Sequence, residues 1–213
     1  RSAAPARDLL AALPGGGHTL VAGDVRDPGA VAQFVDAAAG ALGGLDVVVN
    51  NAGVFLPHAI TETSYDEWQA AWQRTIATNL LGPANVAWCA VRHLRPGGRI
   101  VNVSSRGAFR GEPRQPGYGA SKAGLNSLSQ SLAVALAPLG IAVTAVAPGY
   151  VDTDMASEVL ASGRGDAIRA ESPLGRVATP EEVAAAVLWL ASPQAEWATG
   201  TVVDLNGASY LRT

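Results

Sequence analysis

The chain has 213 residues, 48% of them hydrophobic, and a formal net charge of -3, which fits one α/β domain over residues 1–213 with a substantial core. No apolar stretch reaches the roughly eighteen residues a membrane span needs, and the slightly acidic balance leaves no basic footprint for nucleic acid. His18, His58 and His93 lie too far apart for metal-ligand spacing, so no metal is expected, and the lone Cys89 excludes an internal disulfide and points to a reducing, cytoplasmic setting.

In chain order, residues 6–13 read as the end of a short helix, followed by the Gly15-Gly16-Gly17 turn. Residues 18–22 read as a short strand ending at Asp24. Residues 28–42 are helical, with Val31, Phe34, Val35 and Ala38 at three- and four-residue spacing. A buried-strand run at 45–49 ends in Asn50-Asn51-Ala52-Gly53. Ser64 and Glu67 form a capping-box pair that opens a long helical region to about residue 94, bent near Gly82-Pro83. A strand at 99–104, a helix at 118–139 and a strand at 141–147 follow. Thr179-Pro180-Glu181-Glu182 is a helix start, with proline in the first turn and acids near the positive end of the dipole. A last strand spans 201–205. Strands alternating with helices predict a doubly wound parallel sheet with helices on both faces, whose ligands sit beyond the carboxyl ends of the strands. Asp24, Asn50, Ser105 and Pro148 fall at such ends.

Of the fifteen basic residues only Lys122 is a lysine, and it stands one helical turn after Tyr118. Residues four apart share a helix face, so phenol and ammonium reach one site together. A free tyrosine, with a pKa of about 10, is a poor base at neutral pH. A lysine cation beside it lowers that value toward the range of a working proton donor and acceptor.

Taken in order, Asp24-Val25, Asn50-Asn51-Ala52-Gly53, Asn79, Ser105 thirteen residues before Tyr118, Lys122, and Pro148-Gly149 with Thr153 resemble the short-chain dehydrogenase/reductase family in its commonest branch. The resemblance covers nearly the whole chain and implies a Rossmann-like fold and a nicotinamide-dependent oxidoreductase. Tyr118 is then the acid/base, Ser105 the hydrogen-bond partner of the reacting oxygen, Lys122 the tuner of the phenol and ligand of the nicotinamide ribose, and Asn79 the holder of a relay water. Asp24, Val25, Asn51, Ala52 and Gly53 border the adenosine side of the cofactor. Pro148, Gly149, Val151 and Thr153 border the nicotinamide and the phosphates. On packing grounds alone each has another reading: Asn50 and Asn51 as turn formers, Asn79 as a satisfied helix polar group, Asp24 as a helix cap, Ser104 as structural.

The family's TGxxxGxG loop does not occur in the sequence, so the resemblance implies a missing first strand-helix-strand unit ahead of Arg1. The position that selects between NAD and NADP falls there too. Arg1, placed to meet a 2′-phosphate, tilts the expectation to NADP(H) over NAD(H). Residues 106–117 and a lid at about 152–175 are expected to rim the substrate pocket. Arg106, Arg110 and Arg114 either attract an acidic acyl carrier, as in 3-oxoacyl-carrier-protein reductases, or are solvated charge; a small polyol, sugar or hydroxy-ketone is the other substrate class. His58 is expected to be an exposed loop residue or a substrate neighbour, and Trp68 and Trp72 a core or subunit contact. The resemblance implies a homo-oligomer, dimer or tetramer, working on a small carbonyl or alcohol. The rival reading is an inactive family member acting as a binding or scaffold protein.

Overall fold

The computed structural model describes residues 3–212; Arg1, to which the 2′-phosphate contact was assigned, lies outside them. Four strands form one parallel sheet in sequential order: β1 (Leu45–Asn50), β2 (Leu94–Val103), β3 (Ala142–Pro148) and β4 (Val202–Leu205). The helices are α1 (Ala3–Ala12), α2 (Pro28–Leu42), α3 (Tyr65–Ile76), α4 (Gly82–Ala90), α5 (Pro116–Leu136), α6 (Asp154–Ala161), α7 (Gly165–Ala170) and α8 (Pro180–Leu190). The expected Rossmann-like α/β layering is present.

Parallel strands are joined by crossovers, and the crossover helices must cover both faces of the sheet. Strand alternation decides which residues meet which helix. Ile100 of β2 and its register partner Val143 of β3 face α4 and α5, packing on Ala87, Ala133 and Leu136. Val101 and Val146 point the other way, onto Leu190 of α8 and Ala195. Val31 and Val35 of α2 lock against α4 through Val86 and Ala90. On β1 the residues that alternate away from α4, Val47 and Val49, stay 42% and 43% exposed.

Local signals set the helix starts. Asp27 accepts the Gly29 and Ala30 amides ahead of Pro28 at the start of α2, and the left-handed Gly43 ends the helix. Asp27, not Asp24, is therefore the cap of α2. Ser64 with Glu67 and Thr179 with Glu182 both close capping boxes. Ser64→Ala should lower the unfolding free energy by about 1 kcal/mol, read as a reduced denaturant midpoint with an unchanged slope; an unchanged midpoint would contradict the capping role.

Two expectations need correction. Residues 18–22 form no strand: they are exposed and pair with no ladder among the described residues. A run of strand-favouring residues becomes a strand only when a neighbour takes up its backbone groups. Only at Gly23, just after residues 18–22, does the chain close on α2, against the Phe34 ring. The long helical region is also not continuous to residue 94. It is broken by a π-turn at Ala77–Leu81, where Gly82 N–H reaches back to the Ala77 carbonyl, and it ends at Ala90. Pro83 sits in the first turn of α4, where its missing N–H costs nothing, so the irregularity falls one turn before the proline.

Candidate active site

The ends of β1, β2 and β3 open onto one cleft of about 600 Å³. Its wall includes Asn51 and Gly53 after β1, Ser104 and Ser105 after β2, Pro148 at the end of β3, and Gly149, Val151 and Thr153 after it. Tyr118 and Lys122, on the first two turns of α5, complete it. Open α/β sheets place ligands at this edge. Four expected residues do not line the cleft: Asp24, Val25, Ala52 and Asn79.

Ser105 caps the short turn Arg106–Ala108, its hydroxyl accepting the Gly107 amide at 3.1 Å. Hydrogen bonding by its side chain favours the Tyr118 phenolate. The Tyr118 ring is set edge-on against Phe55, with centroids 4.8 Å apart. Lys122 is buried, its Nζ 5.9 Å from the Tyr118 ring centroid and donating to the Val103 carbonyl at 2.7 Å. An ammonium has three N–H donors; Val103 is its single protein acceptor among the described residues.

The electrostatics correct the expectation that lysine lowers the tyrosine pKa. Burial raises the Tyr118 pKa, the Ser105 hydrogen bond pulls it back in part, and the Glu112 carboxylate pushes it up again. Burial likewise lowers Lys122 to about 8. Desolvation disfavours each charged form, so with protein groups alone the pair holds a neutral phenol.

Asn79 lies on the π-turn and is fully buried. Its Oδ1 accepts the Val54 amide at 2.9 Å, and its Nδ2 donates to the Val54 carbonyl at 3.0 Å and to the Ser121 hydroxyl at 3.2 Å. The side chain thus clamps the segment after β1 to α5, next to Lys122. A Cβ on Gly53 would come within 3.5 Å of Asn79 Oδ1 and 3.8 Å of Lys122 Nζ, so glycine leaves open the approach to the ammonium. Asn50 joins a second chain of bonds: its Nδ2 donates to Asn102, Asn102 donates to Ser129, and Ser129 donates to the Leu125 carbonyl. The ends of β1 and β2 are thereby tied to the helix that carries Tyr118.

Asp24 forms an exposed pair with Arg26, whose hydrogen bonds hold its carboxyl down at about 2. Val25 packs where a Cβ on Gly82 would stand, 3.1 Å away. His58 is not an exposed loop residue: it is 1% exposed. Its Nδ1 donates to the Leu56 carbonyl at 2.7 Å, and its Nε2 accepts the Gly117 amide at 3.0 Å, immediately before Tyr118. Trp68 and Trp72, both half-buried, pack on the same ring. The three rim arginines are neither free nor simply solvated. Arg106 is buried and pairs with Glu171 and Ser209, Arg110 reaches Glu171 at 3.2 Å, and Arg114 pairs with Glu62.

Sequence reasoning missed Phe55, Glu112 and Tyr150, which all line the cleft. Tyr150 had a signal, its place directly after the Pro148-Gly149 strand end. Glu112 sat unremarked within the rim segment. Nothing in the chain's pattern marks the π-turn.

A family model described as "Enoyl-(Acyl carrier protein) reductase" matches residues 2–207. An uncharacterized short-chain type dehydrogenase/reductase of Sinorhizobium fredii is 45% identical over 166 residues, 76% of this chain and 30% of that protein. Cis-4-hydroxycyclohexanecarboxylate dehydrogenase of Sinomonas cyclohexanicum is 41% identical over 95% of this chain and 81% of its own length. A 3-oxoacyl-[acyl-carrier-protein] reductase of Chlamydia muridarum is 39% identical over 78% of this chain and 65% of its own. The crystal structure of a Burkholderia cenocepacia short-chain dehydrogenase in complex with NADP superimposes with a TM-score of 0.81 at 35% identity, over 89% of this chain and 75% of that one. The fold and the matches define an NAD(P)-dependent class of oxidoreductases working between CH–OH and C=O. The chain belongs to the short-chain dehydrogenase/reductase family.

Proposed function

We propose that the chain carries the catalytic part of an NAD(P)(H)-dependent oxidoreductase that interconverts a carbonyl and a secondary alcohol. The observation that carries this reading is the convergence of Ser105, Tyr118 and Lys122 on one cleft.

The residues present suit the nicotinamide-ribose half of the cofactor. Lys122 has donors left over after Val103, and Gly53 leaves room beside it. The bound nicotinamide supplies or accepts the hydride. In reduction, Tyr118, kept as a phenol by burial, donates its proton to the substrate oxygen. Ser105 holds the same oxygen by a hydrogen bond. The Lys122 ammonium stabilises the phenolate left behind and binds the ribose with its remaining N–H groups. In oxidation the proton travels the other way. Asn79 keeps Gly53 and Lys122 in register and sits where a relay to solvent would begin.

Asn51, Ala52, Gly53, Asp24 and Val25 are assigned to the adenosine side, and Pro148, Gly149, Val151 and Thr153 to the nicotinamide side. NADP(H) is favoured over NAD(H), a preference supported by the NADP-bound Burkholderia relative. We assign a homo-oligomer in the cytoplasm acting on a small carbonyl or alcohol. The Chlamydia relative supports an acyl-carrier substrate, but Arg106, Arg110 and Arg114 are ion-paired within the chain and offer an acidic carrier no unpaired guanidinium.

Ser105→Ala tests the reading. Removing one preorganised donor to a reacting oxygen costs about 10²- to 10³-fold in turnover. Followed by nicotinamide absorbance, the variant of the intact protein should lose turnover by that amount with cofactor affinity unchanged. Undiminished turnover would contradict it.

A further inference from the structure

Glu112 is a carboxylate in an unusual place. Its side chain is 17% exposed and lines the same cleft as Tyr118 and Tyr150. It is wedged against the turn that carries Ser105: a Cβ on Gly107 would stand 3.2 Å from both its Cγ and its Oε1. A Cβ on Gly119, the residue after Tyr118, would touch its Cβ and Cγ at 4.0 Å. The carboxyl is thus fixed between the two elements that hold the reacting hydroxyls.

Its partners in the protein are sparse. Arg110 Nε is 3.9 Å away, beyond hydrogen-bond distance, while the same guanidinium gives its Nη1 to Glu171 at 3.2 Å. Arg106 is occupied by Glu171 and Ser209. Among the described residues no hydrogen bond reaches the Glu112 carboxylate. An ionised carboxylate can accept about four hydrogen bonds, and one left unpaired in a half-closed cleft is costly. Burial accordingly raises its pKa. Val54, Phe55, Met155 and Val159 give the cleft an apolar part, beside the polar Arg106, Tyr150 and Asp154.

We propose that Glu112 is a substrate-recognition residue, accepting a hydrogen bond from a hydroxyl that a neutral substrate carries besides the group being oxidised or reduced. The inference rests on the oxidoreductase reading and names its substrate class: an apolar-bodied diol or hydroxy-ketone. A hydroxyl donor supplies the missing partner, and a hydrogen bond to a charged acceptor is among the stronger ones. A substrate carboxylate in the same position meets a like charge and is rejected.

The test uses the intact protein saturated with reduced nicotinamide cofactor, in which alcohols bind but are not oxidised. Affinities for cyclohexanol, the 1,2-, 1,3- and 1,4-cyclohexanediols and 4-hydroxycyclohexanecarboxylate are measured by ligand-observed NMR. Turnover of the same alcohols is measured with the oxidised cofactor. The wild type should bind at least one diol roughly tenfold more tightly than cyclohexanol and the carboxylate more weakly. Glu112→Leu should bring the diol ratio to about one. Glu112→Gln, which still accepts a hydrogen bond but carries no charge, should keep most of the diol preference and gain affinity for the carboxylate. A wild type without diol preference, or a preference that survives Glu112→Leu, overturns the proposal. Should Glu112→Leu fail to fold by circular dichroism, the near-isosteric Glu112→Gln decides: carboxylate affinity unchanged from wild type overturns it. Diol preference in binding with no alcohol turned over would sink the oxidoreductase reading and uphold Glu112. Turnover without preference would do the reverse.

Discussion

Tyr118→Phe should lower turnover of the intact protein by about 10²- to 10⁴-fold, the usual contribution of a positioned general acid. The loss follows from the site's geometry. The phenol is the proton-bearing group that shares the cleft wall with Ser105, and Lys122 is turned onto the Val103 carbonyl at 2.7 Å. The substitution removes one oxygen and keeps the ring that packs edge-on against Phe55. The fold and the cofactor affinity should therefore survive while the chemistry fails. Equal falls in turnover and in cofactor affinity would mean that Tyr118 acts through packing.

The second large effect concerns stability and pH. Burial brings Lys122 from 10.5 down to about 8 in the folded chain. Between those values the unfolded chain binds a proton that the folded chain does not, so stability rises with pH across that window. Tyr118 acts oppositely. Its raised pKa means that the folded chain retains a proton that the unfolded chain loses above its ordinary value of 10.0, so stability then falls with pH. The clean window is pH 8 to 10, where Lys122 should contribute about 2 to 3 kcal/mol of rising stability in the cofactor-free protein. Lys122→Met has no proton to release, and its denaturation midpoint should rise less over that range by this amount. Parallel curves for the two proteins would contradict the burial of the ammonium. The same penalty explains why a lysine here is costly to the apo fold: it holds a charge that the site needs and the core resists.

Much of the site was legible because its members are fixed by local chemistry. The Tyr118–Lys122 spacing places both on one helix face whatever surrounds them, and Ser105 and Pro148-Gly149 follow apolar runs that could only be strands. Ser64-Glu67 and Thr179-Glu182 carried their helix starts in four residues each. What failed depended on distant partners. Residues 18–22 have strand-like composition but no ladder to join. His58 looked like a loop residue because the Gly117 amide, the Leu56 carbonyl and two tryptophan rings that bury it come from three separate segments. Arg106 read as surface charge because Glu171, its partner, lies 65 residues away. The direction of the Tyr118 pKa was misjudged for the same reason: spacing shows that a lysine is near, but not that both groups are desolvated.

A crystal structure of the intact protein with NADP and an unreactive ketone bears most directly on the account. The ketone oxygen should lie about 2.6 to 3.2 Å from both the Tyr118 and the Ser105 hydroxyls, with Lys122 Nζ on the nicotinamide ribose. A ketone held elsewhere, or hydroxyls of Tyr118 and Ser105 facing separate spaces, would contradict it.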